Sequence, residues 1–475
     1  MSQELIYQID EKYKEYLSDE SRMTGVADSI SFPKEENEII KIITRLKKSN
    51  TPITIQGGKT GIVGCAVPIK GHVLNLSNMN HIKDFIKSAG GEYFIKVEPG
   101  VSLLELNKEI NMLENKEELF WPPDPTEPSA TIGGIASCNA KGICSYAYGD
   151  TKKYIDQIRV VQSDGIIRDI KRGEELISFA NSKIDLIDVY LGGEGMFGLI
   201  TELTLKLKPK PKFIWGIAFF FKYKEDIFTF AESLITSNLQ SQESYIAAIE
   251  YIDRETIDII EKRKKFMSKL QSVPDIEPEN TGMIYIEIHG DKEESIETIA
   301  EKLMELAISN NSDPDKAWAL SGDIEVEKVR NFRHAAPESV NAFIEEMHQQ
   351  DFRITKLGTD MSVKNENFSS ILTKYETDVK NENLKSCIFG HLLENHLHVN
   401  ILPKNYEEYK RGITLIEKWA EYISLKNGRV VTENGVGKLK KSLFLKATPP
   451  KYIDEIRKIK CMLDPEGIWN PGNMI

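Results

Sequence analysis

Residues 120–149, FWPPDPTEPSATIGGIASCNAKGICSYAYG, are the most distinctive stretch of this sequence. Four prolines precede Ala130-Thr-Ile-Gly-Gly134, and the fourteen residues from Ser129 to Gly142 include three Ala, three Gly, two Ser, one Thr and one Cys. Side chains this small let a backbone come within hydrogen-bonding distance of a flat or phosphorylated ligand. A tight loop packed on a sheet would have the same composition. This stretch alone therefore does not decide whether it binds a ligand or is only a structural loop.

The composition limits the class of protein. At 475 residues the chain is long enough for two or three domains, and its 28% charged and 40% hydrophobic residues are typical of a globular protein. A net charge of −12 argues against a nucleic-acid partner, which requires a basic surface. The five cysteines show no CxxC spacing, which favours reduced thiols. The charged N-terminus and the lack of a long apolar run predict neither a signal peptide nor a transmembrane segment, so we expect a cytoplasmic enzyme or binding protein.

Two further glycine-rich stretches favour a ligand over a plain loop. A predicted strand, Ile53–Ile55, leads into Gln56-Gly-Gly-Lys-Thr-Gly-Ile-Val-Gly64, and a second predicted strand, Asp185–Leu191, leads into Gly192-Gly-Glu-Gly-Met-Phe-Gly198. A strand that delivers a glycine-rich turn presents backbone N–H groups to phosphate oxygens. The first turn has neither the Walker pattern nor GxGxxG, so each turn is weak alone.

The remaining patterns predict helices and strands. In the first half these are helices over Ile6–Leu17, Glu35–Ser49 and Leu103–Leu113, a hairpin over Ile155–Val161 and Ile166–Ile170, and a strand over Leu199–Leu207. Pro209 and Pro211 indicate a boundary, beyond which strands alternate with helices as in an α+β domain. The strands are Trp215–Phe221, Tyr245–Tyr251 and Met283–His289, and the helices are Glu225–Thr236, Arg254–Lys269 and Lys292–Ala307.

A cluster of histidines lies in the second half, within Cys387-Ile-Phe-Gly-His-Leu-Leu-Glu-Asn-His-Leu-His-Val-Asn400. Its members are His391, His396 and His398, three of the eight histidines of the chain. If Leu397–Leu402 is a strand, His396, His398 and Asn400 share one face, because side chains alternate along a strand. Clustered imidazoles indicate a metal site or catalysis, and the alternative is a polar strand with hydrogen-bonded histidines.

Glu433 follows an apolar stretch that we predict to be a strand, within Gly428-Arg-Val-Val-Thr-Glu-Asn-Gly-Val-Gly-Lys438. A carboxylate delivered into a glycine-rich turn would complete a histidine metal site. The spacing does not prove this assignment.

Taken together, the glycine-rich motifs resemble those of FAD-linked enzymes of the vanillyl-alcohol-oxidase type, in the branch that holds glycolate oxidase and D-lactate dehydrogenase. The motifs are Gly57-Gly-Lys-Thr-Gly61, Pro123-Asp-Pro125, Thr131-Ile-Gly-Gly134, Asn139-Ala-Lys-Gly142, Tyr148-Gly149, Gly193-Glu-Gly-Met-Phe-Gly-Leu-Ile-Thr201 and, near the C-terminus, Met462-Leu-Asp-Pro-Glu-Gly-Ile-Trp-Asn-Pro-Gly-Asn473. The resemblance covers nearly the whole chain from about residue 30, and the set is highly specific although no single motif is.

The resemblance implies an α+β fold with a two-subdomain flavin-binding domain and an α+β cap domain that carries the substrate site. The expected division is an N-terminal helical segment 1–32, an FAD-binding domain 33–211, a cap domain 212–425 and a C-terminal segment 426–475 that returns to the flavin site. It also implies FAD, whose pyrophosphate lies on the backbone of 57–61 and 131–134. Some relatives attach the flavin through a histidine in the first turn, where this chain has Lys59 and Thr60, so we expect non-covalent FAD.

The implied FAD-binding residues lie in the three stretches and the C-terminal motif. They are Gly57, Gly58, Lys59, Thr60, Gly61, Pro123, Asp124, Thr131, Gly133, Gly134, Ser137, Asn139, Ala140, Tyr148, Gly149, Glu194, Gly195, Gly198, Ile200 and Asn470.

The histidine cluster resembles the metal-binding and substrate-binding element of the same branch. The match implies a divalent metal such as Zn, Fe or Mn on His391, His398 and Glu433. It further implies that Arg333, with Arg330 as a fallback, holds the substrate carboxylate, although a solvated helix face is the alternative for both arginines. Asn400 would contact the substrate and Lys356 would lie at the substrate mouth.

Two departures from the family pattern concern catalysis. This chain adds His396, and it has Asn434 where relatives carry the histidine that is their candidate base. An amide cannot act as a general base near neutral pH. Either His396 takes over this role, or a metal lowers the need for a base, or the substrate differs; we favour His396.

These resemblances predict oxidation of a small D-2-hydroxy acid, with a hydride passed to flavin N5. The expected partners are the substrate, an electron-transfer flavoprotein or quinone as acceptor, and a second copy of the chain in a homodimer. One alternative is a non-oxidising flavoprotein subunit of a larger redox complex, as Asn434 could indicate. A transferase like alkyl-glycerone-phosphate synthase ranks last, because it would carry several histidines near residue 433.

Overall fold

The computed structural model describes residues 5–113, 117–237, 239, 241 and 243–475. The chain forms two compact units. The first comprises Met1–Gly142, Gly149–Lys210 and Glu433–Ile475, and the second comprises Ile143–Tyr148 and Pro211–Thr432. Helices account for 39% of the structure and strands for 24%, which confirms the predicted α+β class.

Nineteen strands are formed by the described residues. In the first unit they are β1 Tyr7–Gln8, β2 Ser29–Ser31, β3 Ile53–Gln56, β4 His72–Asn75, β5 Ile82–Lys87, β6 Tyr93–Val97, β7 Leu119–Phe120, β8 Ile155–Val161, β9 Ile167–Lys171, β10 Leu176–Phe179, β11 Ser182–Asp185 and β12 Leu199–Pro209. In the second unit they are β13 Phe213–Phe221, β14 Ser244–Asp253, β15 Gly282–Gly290, β16 Trp318–Ser321, β17 Leu357–Gly358, β18 Ser386–His391 and β19 His396–Ile401.

The α-helices of the described ranges run from α1 to α13. They are α1 Glu36–Lys47, α2 Leu103–Met112, α3 Ile132–Cys138, α4 Ser145–Tyr148, α5 Ile187–Tyr190, α6 Lys224–Thr236, α7 Arg254–Lys264, α8 Glu293–Ser309, α9 Asp323–Gln350, α10 Phe368–Asn381, α11 Tyr406–Leu425, α12 Lys441–Ala447 and α13 Pro450–Leu463. Short 3-10 helices cover Glu11–Leu17, Thr151–Tyr154, Ser268–Leu270, Pro314–Lys316 and Leu392–Glu394.

The first unit contains two main sheets and a small hairpin of β10 and β11. One sheet has the order β1-β2-β4-β3, in which β2, β4 and β3 are parallel. The other is antiparallel, with the order β5-β6-β12-β8-β9 and with β7 paired to β12. α1 buries Ile39, Ile42 and Ile43, whose helical spacing places them on one face, in a core with Ile53 and Trp469. β3 is the edge strand of this sheet, and the first glycine-rich turn follows it directly.

The second unit is built on a seven-stranded antiparallel sheet with the order β16-β13-β15-β14-β18-β19-β17. Residues directly opposite one another in such a sheet place their side chains on the same face. Tyr285 on β15 lies opposite Glu250 on β14, Glu250 opposite His391 on β18, and His391 opposite His396 on β19. A buried row of polar side chains therefore crosses four neighbouring strands.

Four predicted elements differ from the structure. The helix expected over Ile6–Leu17 is β1 followed by a 3-10 helix, because Tyr7 pairs with β2 and the Asp10 side chain caps the helix start. The strand expected over Asp185–Leu191 is mostly α5. The helix expected over Arg254–Lys269 ends at Lys264.

The strand expected before Glu433 consists only of isolated bridges at Arg429 and Val431. Within the described ranges, no helix combines the length and the apolar character needed to cross a membrane.

Candidate functional site

The first two glycine-rich stretches touch each other in the first unit. The backbone N–H of Gly58 donates to Thr131 Oγ1 at 3.4 Å, and a Cβ on Gly57 would lie only 2.1 Å from the same oxygen. Gly133 also lies close to its neighbour, because a Cβ there would lie 2.6 Å from the Pro99 ring. The glycines at these positions are therefore required by the close approach of two backbones.

The third stretch joins the same assembly through Glu194, which has a left-handed backbone at φ +50°. Its N–H donates to the carbonyl of Ser137 at 2.9 Å, and its buried carboxylate accepts from the backbone N–H groups of Val436 and Gly437. Asn470 connects the C-terminal motif to this group, since its side chain donates to Glu194 O at 2.5 Å and accepts from Ile55 N at 2.6 Å. The three stretches predicted to form one site therefore meet within one unit.

Further predicted FAD-binding residues make contacts within or next to the three glycine-rich stretches. Asn139 caps α3 in the left-handed region at φ +48°, and its side chain accepts from Lys152 N at 2.9 Å. Ala140 accepts a hydrogen bond from Thr151 Oγ1, and Gly142 packs so closely on Asp124 that a Cβ would lie 2.3 Å from its carbonyl oxygen. Ile200 is buried in β12, and Pro123, Gly134, Gly149, Gly195 and Gly198 stay predictions as FAD-binding residues.

Two predicted FAD-binding residues have other contacts. The Lys59 ammonium donates to the carbonyl of Glu15 and lies over the Tyr16 ring, so its side chain is held by the N-terminal segment. Tyr148 belongs to the second unit, where its hydroxyl is bonded to His289 Nδ1 at 2.6 Å and to the Tyr245 hydroxyl at 3.0 Å.

The backbone of the first turn suits a dinucleotide. Gly61 and Thr60 are half-buried, and among the described residues no atom lies within 4 Å of a Cβ built on Gly61. On Gly134 a Cβ would meet Thr131 Oγ1 at 3.3 Å. Bare backbone beside such space is the arrangement that phosphate oxygens require.

In the second unit, β18 and β19 bring the three clustered histidines together. His391 and His396 form a cross-strand pair, and His398 follows on the same face of β19. One ring nitrogen from each imidazole lies within 4.8 Å of the others. All three side chains are buried. The ring nitrogens are close enough together, and imidazole is a suitable enough ligand, for the three side chains to bind a divalent cation.

Each of these histidines is held from behind by an oxygen. His391 Nδ1 lies 2.5 Å from Glu250 Oε1, and His396 Nε2 lies 2.8 Å from Asp360 Oδ1. His398 Nδ1 faces the carbonyl oxygen of Thr359 at 3.4 Å. Because an ionised carboxylate only accepts, the ring nitrogen of His396 that faces Asp360 carries the proton. Such carboxylate–histidine pairs typically orient metal-ligating or proton-transferring imidazoles.

Both candidate substrate arginines are paired with buried carboxylates. Arg333 Nε donates to Glu250 Oε2 at 2.5 Å, with the guanidinium 4.8 Å from the centre of the Phe389 ring, and Arg330 donates two bonds to Glu287. Burial raises the pKa of Glu250, but the charges of His391 and Arg333 outweigh it and lower the pKa to about 2. Neither arginine therefore lies on a solvated helix face, which was the alternative to a functional role.

The other predicted site residues are distributed as follows. Asn400 lies on β19 opposite Cys387, and its side chain donates to His398 O at 3.2 Å. Lys356 donates to Asn341 on α9 at 2.7 Å. Glu433 and Asn434 come directly after Thr432, whose backbone N–H donates to Asp360 Oδ2 at 3.2 Å. The residue before Glu433 is therefore bound to the same carboxylate that holds His396.

The sequence reasoning missed Glu250 and gave no role to Asp360. Glu250 lies in the otherwise apolar run Ile246-Ala-Ala-Ile-Glu-Tyr-Ile252 and is fully buried. A single acid within an apolar strand requires a partner, and this pattern could have indicated a functional carboxylate.

Comparison with known families agrees with this geometry. The C-terminal domain of FAD-linked oxidases matches residues 231–474, more than half of the chain, and an FAD binding domain matches residues 27–171. The chain belongs to the FAD-linked oxidases. This finding confirms the predicted family and FAD as the cofactor.

Individual relatives of this FAD-linked oxidase span nearly its whole length. A D-lactate dehydrogenase from Anaerostipes hadrus is 26% identical over 472 residues, 98% of this chain and 93% of the relative. The glycolate oxidase subunit GlcD of Bacillus subtilis (strain 168) is 26% identical over 453 residues, 95% of this chain and 89% of the relative.

A solved structure supports the fold. A 4-ethylphenol oxidase from Gulosibacter chungangensis has a TM-score of 0.72 at 15% identity and covers 99% of this chain and 94% of its own. This likeness confirms the vanillyl-alcohol-oxidase type of fold.

Proposed function

We propose that this FAD-linked oxidase oxidises a small D-2-hydroxy acid, of the size of lactate, glycolate or 2-hydroxyglutarate, to the 2-oxo acid. The observation that carries the proposal is the buried trio His391, His396 and His398, with Arg333 sharing the carboxylate that holds His391. The names of the D-lactate dehydrogenase and glycolate oxidase relatives agree with it.

The cofactors supply two parts of this chemistry. FAD, held without a covalent bond by the three glycine-rich stretches, would accept the hydride from the substrate C2 at flavin N5. A divalent cation such as Zn, Fe or Mn on His391, His398 and Glu433 would act as a Lewis acid toward the substrate oxygens. The ring nitrogens of the histidine trio and their carboxylate partners fit such a cation.

The side chains bind and orient the substrate. Arg333 uses Nε for Glu250, and in the part of the chain that the structure describes its two terminal nitrogens have no protein partner, which leaves a planar fork for the substrate carboxylate. Asn400 adds an amide close to His398, and Lys356 contributes a positive charge to substrate entry. Burial of the site excludes water and strengthens each of these interactions.

His396 would take the hydroxyl proton. Its Nε2–H donates to Asp360, so Nδ1 is the nitrogen that can accept a proton, and the carboxylate stabilises the imidazolium that results. This arrangement would replace the base that Asn434 cannot provide. Electrons would then pass to an electron-transfer flavoprotein or a quinone, and we propose a cytoplasmic homodimer as the working assembly.

The decisive experiment is anaerobic stopped-flow reduction of the purified holoenzyme by D-lactate, L-lactate, glycolate, D-2-hydroxyglutarate and D-glycerate. Loss of the oxidised-flavin absorbance with at least one D-acid, in the presence of Zn²⁺, Mn²⁺ or Fe²⁺, is the expected result. A yellow protein that none of these acids bleaches would instead favour the non-oxidising subunit.

A further inference from the structure

Two buried glutamates in the second unit each hold one arginine and one histidine. Glu250 on β14 binds Arg333 and His391, and Glu287 on the neighbouring strand β15 binds Arg330 and His289. The two arginines lie three residues apart on α9, so they project from the same side of that helix. The same arrangement therefore occurs twice, side by side on one sheet face.

We infer that Glu250 is a positioning residue that fixes the distance between the cation ligand His391 and the carboxylate-binding Arg333. This inference rests on the proposed function, because the distance that Glu250 fixes is the one between the groups proposed to bind the substrate hydroxyl and carboxylate. Glu250 uses one oxygen for each partner, Oε1 for His391 Nδ1 and Oε2 for Arg333 Nε, both at 2.5 Å. Its side chain is fully buried, so water does not compete for either oxygen.

The chemistry of a 2-hydroxy acid explains why such a link is needed. The hydroxyl and carboxylate groups are on adjacent carbons, so the distance between them is set by the substrate. A cation that binds the hydroxyl oxygen and an arginine that binds the carboxylate must keep a matching distance, and misplacement by about 1 Å is enough to slow a reaction about 100-fold. A single planar carboxylate bound to both His391 and Arg333 prevents the two from moving independently.

In the Glu287 group, the carboxylate and the histidine are already bonded to other protein groups among the described residues. Besides Arg330, Glu287 accepts from Tyr285 at 2.6 Å and from Cys144 at 3.3 Å. His289 uses Nε2 for Glu287 and Nδ1 for the Tyr148 hydroxyl, both at 2.6 Å, so both of its ring nitrogens are bonded within the protein. Cys144, Glu287 and His289 come close enough to hold a metal, but the Arg330 charge on both carboxylate oxygens opposes a cation.

Glu287 therefore provides a matched control for Glu250. Each variant shortens or neutralises a buried carboxylate between one arginine and one histidine, so the general structural damage is comparable. The conservative pair is Glu250→Asp and Glu287→Asp, which keep the charge and shorten the side chain by one carbon. The neutral pair is Glu250→Gln and Glu287→Gln.

The experiment measures two quantities on the FAD-loaded proteins. The first is Zn²⁺ affinity, by competition with a chromogenic chelator, and the second is the split between KM and the rate of flavin reduction with the best D-2-hydroxy acid. Glu250→Asp should weaken Zn²⁺ binding about 10- to 100-fold, as loss of an orienting partner does in other metal sites. It should also raise KM more than it lowers the rate. Glu287→Asp should change neither quantity, and the glutamine pair should show the same contrast.

Two results would overturn the inference, and they have different meanings. If both members of a pair weaken Zn²⁺ binding equally, or neither does, Glu250 has only the structural role that Glu287 has. If the wild-type protein binds no divalent cation and no hydroxy acid reduces its FAD, the proposed function itself fails and takes the inference with it. A Glu250 variant that loses Zn²⁺ affinity while retaining its FAD and its circular dichroism spectrum excludes unfolding as the cause.

Discussion

Asp360 holds two parts of the histidine site that are far apart in the sequence. One oxygen faces His396 Nε2 at 2.8 Å and the other accepts from Thr432 N at 3.2 Å, one residue before Glu433. Asp360 and His396 are both fully buried, so this pair is not screened by water. At the residue scale, the orientation of the proposed base and the position of the residue before the proposed third metal ligand thus depend on one carboxylate.

We expect His396→Asn to slow flavin reduction by the best D-2-hydroxy acid about 100- to 10,000-fold, because general-base catalysis contributes a factor of this size. Stopped-flow measurement of the reduction rate at saturating substrate checks it. The double variant His396→Asn/Asn434→His places a histidine at the position where the family resemblance leads us to expect one, and it should recover part of the rate. An unchanged rate in the single variant would remove His396 from catalysis.

A second prediction concerns His72 on β4, which is buried and whose Nδ1 lies 2.9 Å from the Ser29 hydroxyl. Burial lowers the pKa of His72 from 6.5 to about 3. Below pH 6.5 His72 is therefore protonated in the unfolded chain but stays neutral in the folded chain. The free energy of unfolding consequently falls as the pH falls. From pH 7.5 to pH 5 this group removes about 2 kcal/mol.

Urea denaturation of wild type and His72→Asn at both pH values measures this contribution. The wild type should lose about 2 kcal/mol more than the variant between the two pH values, because other titrating groups cancel in the difference. Parallel pH dependence of the two proteins would show that folding does not change the pKa of His72.

At the scale of elements, the first glycine-rich turn contains glycines with two different roles: one allows close packing of protein segments, and the other leaves open space. Gly57 has no room for a Cβ because Thr131 Oγ1 would lie 2.1 Å away, whereas a Cβ on Gly61 would meet no described atom within 4 Å. The first glycine is required by packing between two protein segments. The second faces open space, where we propose that FAD lies.

Alanine substitution should separate these two roles. Gly61→Ala should leave the thermal stability of the FAD-free protein unchanged and weaken FAD binding, because its Cβ meets no described protein atom within 4 Å and points into the space proposed for the cofactor. Gly57→Ala should lower the stability of the FAD-free protein as well, since overpacking costs about 1–3 kcal/mol. Thermal denaturation and FAD titration by flavin fluorescence give both values. Normal FAD affinity in Gly61→Ala would place the cofactor away from this turn.

At the scale of the whole molecule, most of the glycine-rich residues and the three clustered histidines belong to different units. The glycine-rich stretches other than Ile143–Tyr148 lie in the first unit, as do Asn470 and Glu433, while the three histidines lie in the second. The FAD-binding contacts and the histidine contacts share no hydrogen bond among those described above. Loss of a metal should therefore leave the FAD in place.

Treatment of the holoenzyme with a strong chelator such as dipicolinate should abolish reduction of the flavin by the hydroxy acid without releasing FAD. Metal analysis, the flavin spectrum and stopped-flow reduction check the three parts of this statement. Adding back Zn²⁺, Mn²⁺ or Fe²⁺ should restore reduction, and the most effective ion identifies the native metal. Full activity of a protein shown to contain no metal would contradict the proposed role of the cation.

Much of the fold could be predicted because its signals are local. The turns after β3 and before β12 follow from runs of glycine, and β19 follows from the alternation that places His396 and His398 on one face. The short elements were less predictable. Residues 187–190 have an apolar pattern that suits a strand or a helix. In the structure they form α5, and the Asp185 side chain accepts a hydrogen bond from Ile187 N at the start of this helix.

The sequence by itself determined the family, the glycine-rich turns and the histidine cluster, because each of these depends on residues that are close together in the chain. Only the tertiary structure decided which carboxylates hold the site. Glu250 and Arg333 are 83 residues apart, and Asp360 and His396 are 36 residues apart. Pairs at such distances meet through the order of strands in a sheet and the helix packed on it, and no local pattern encodes that order.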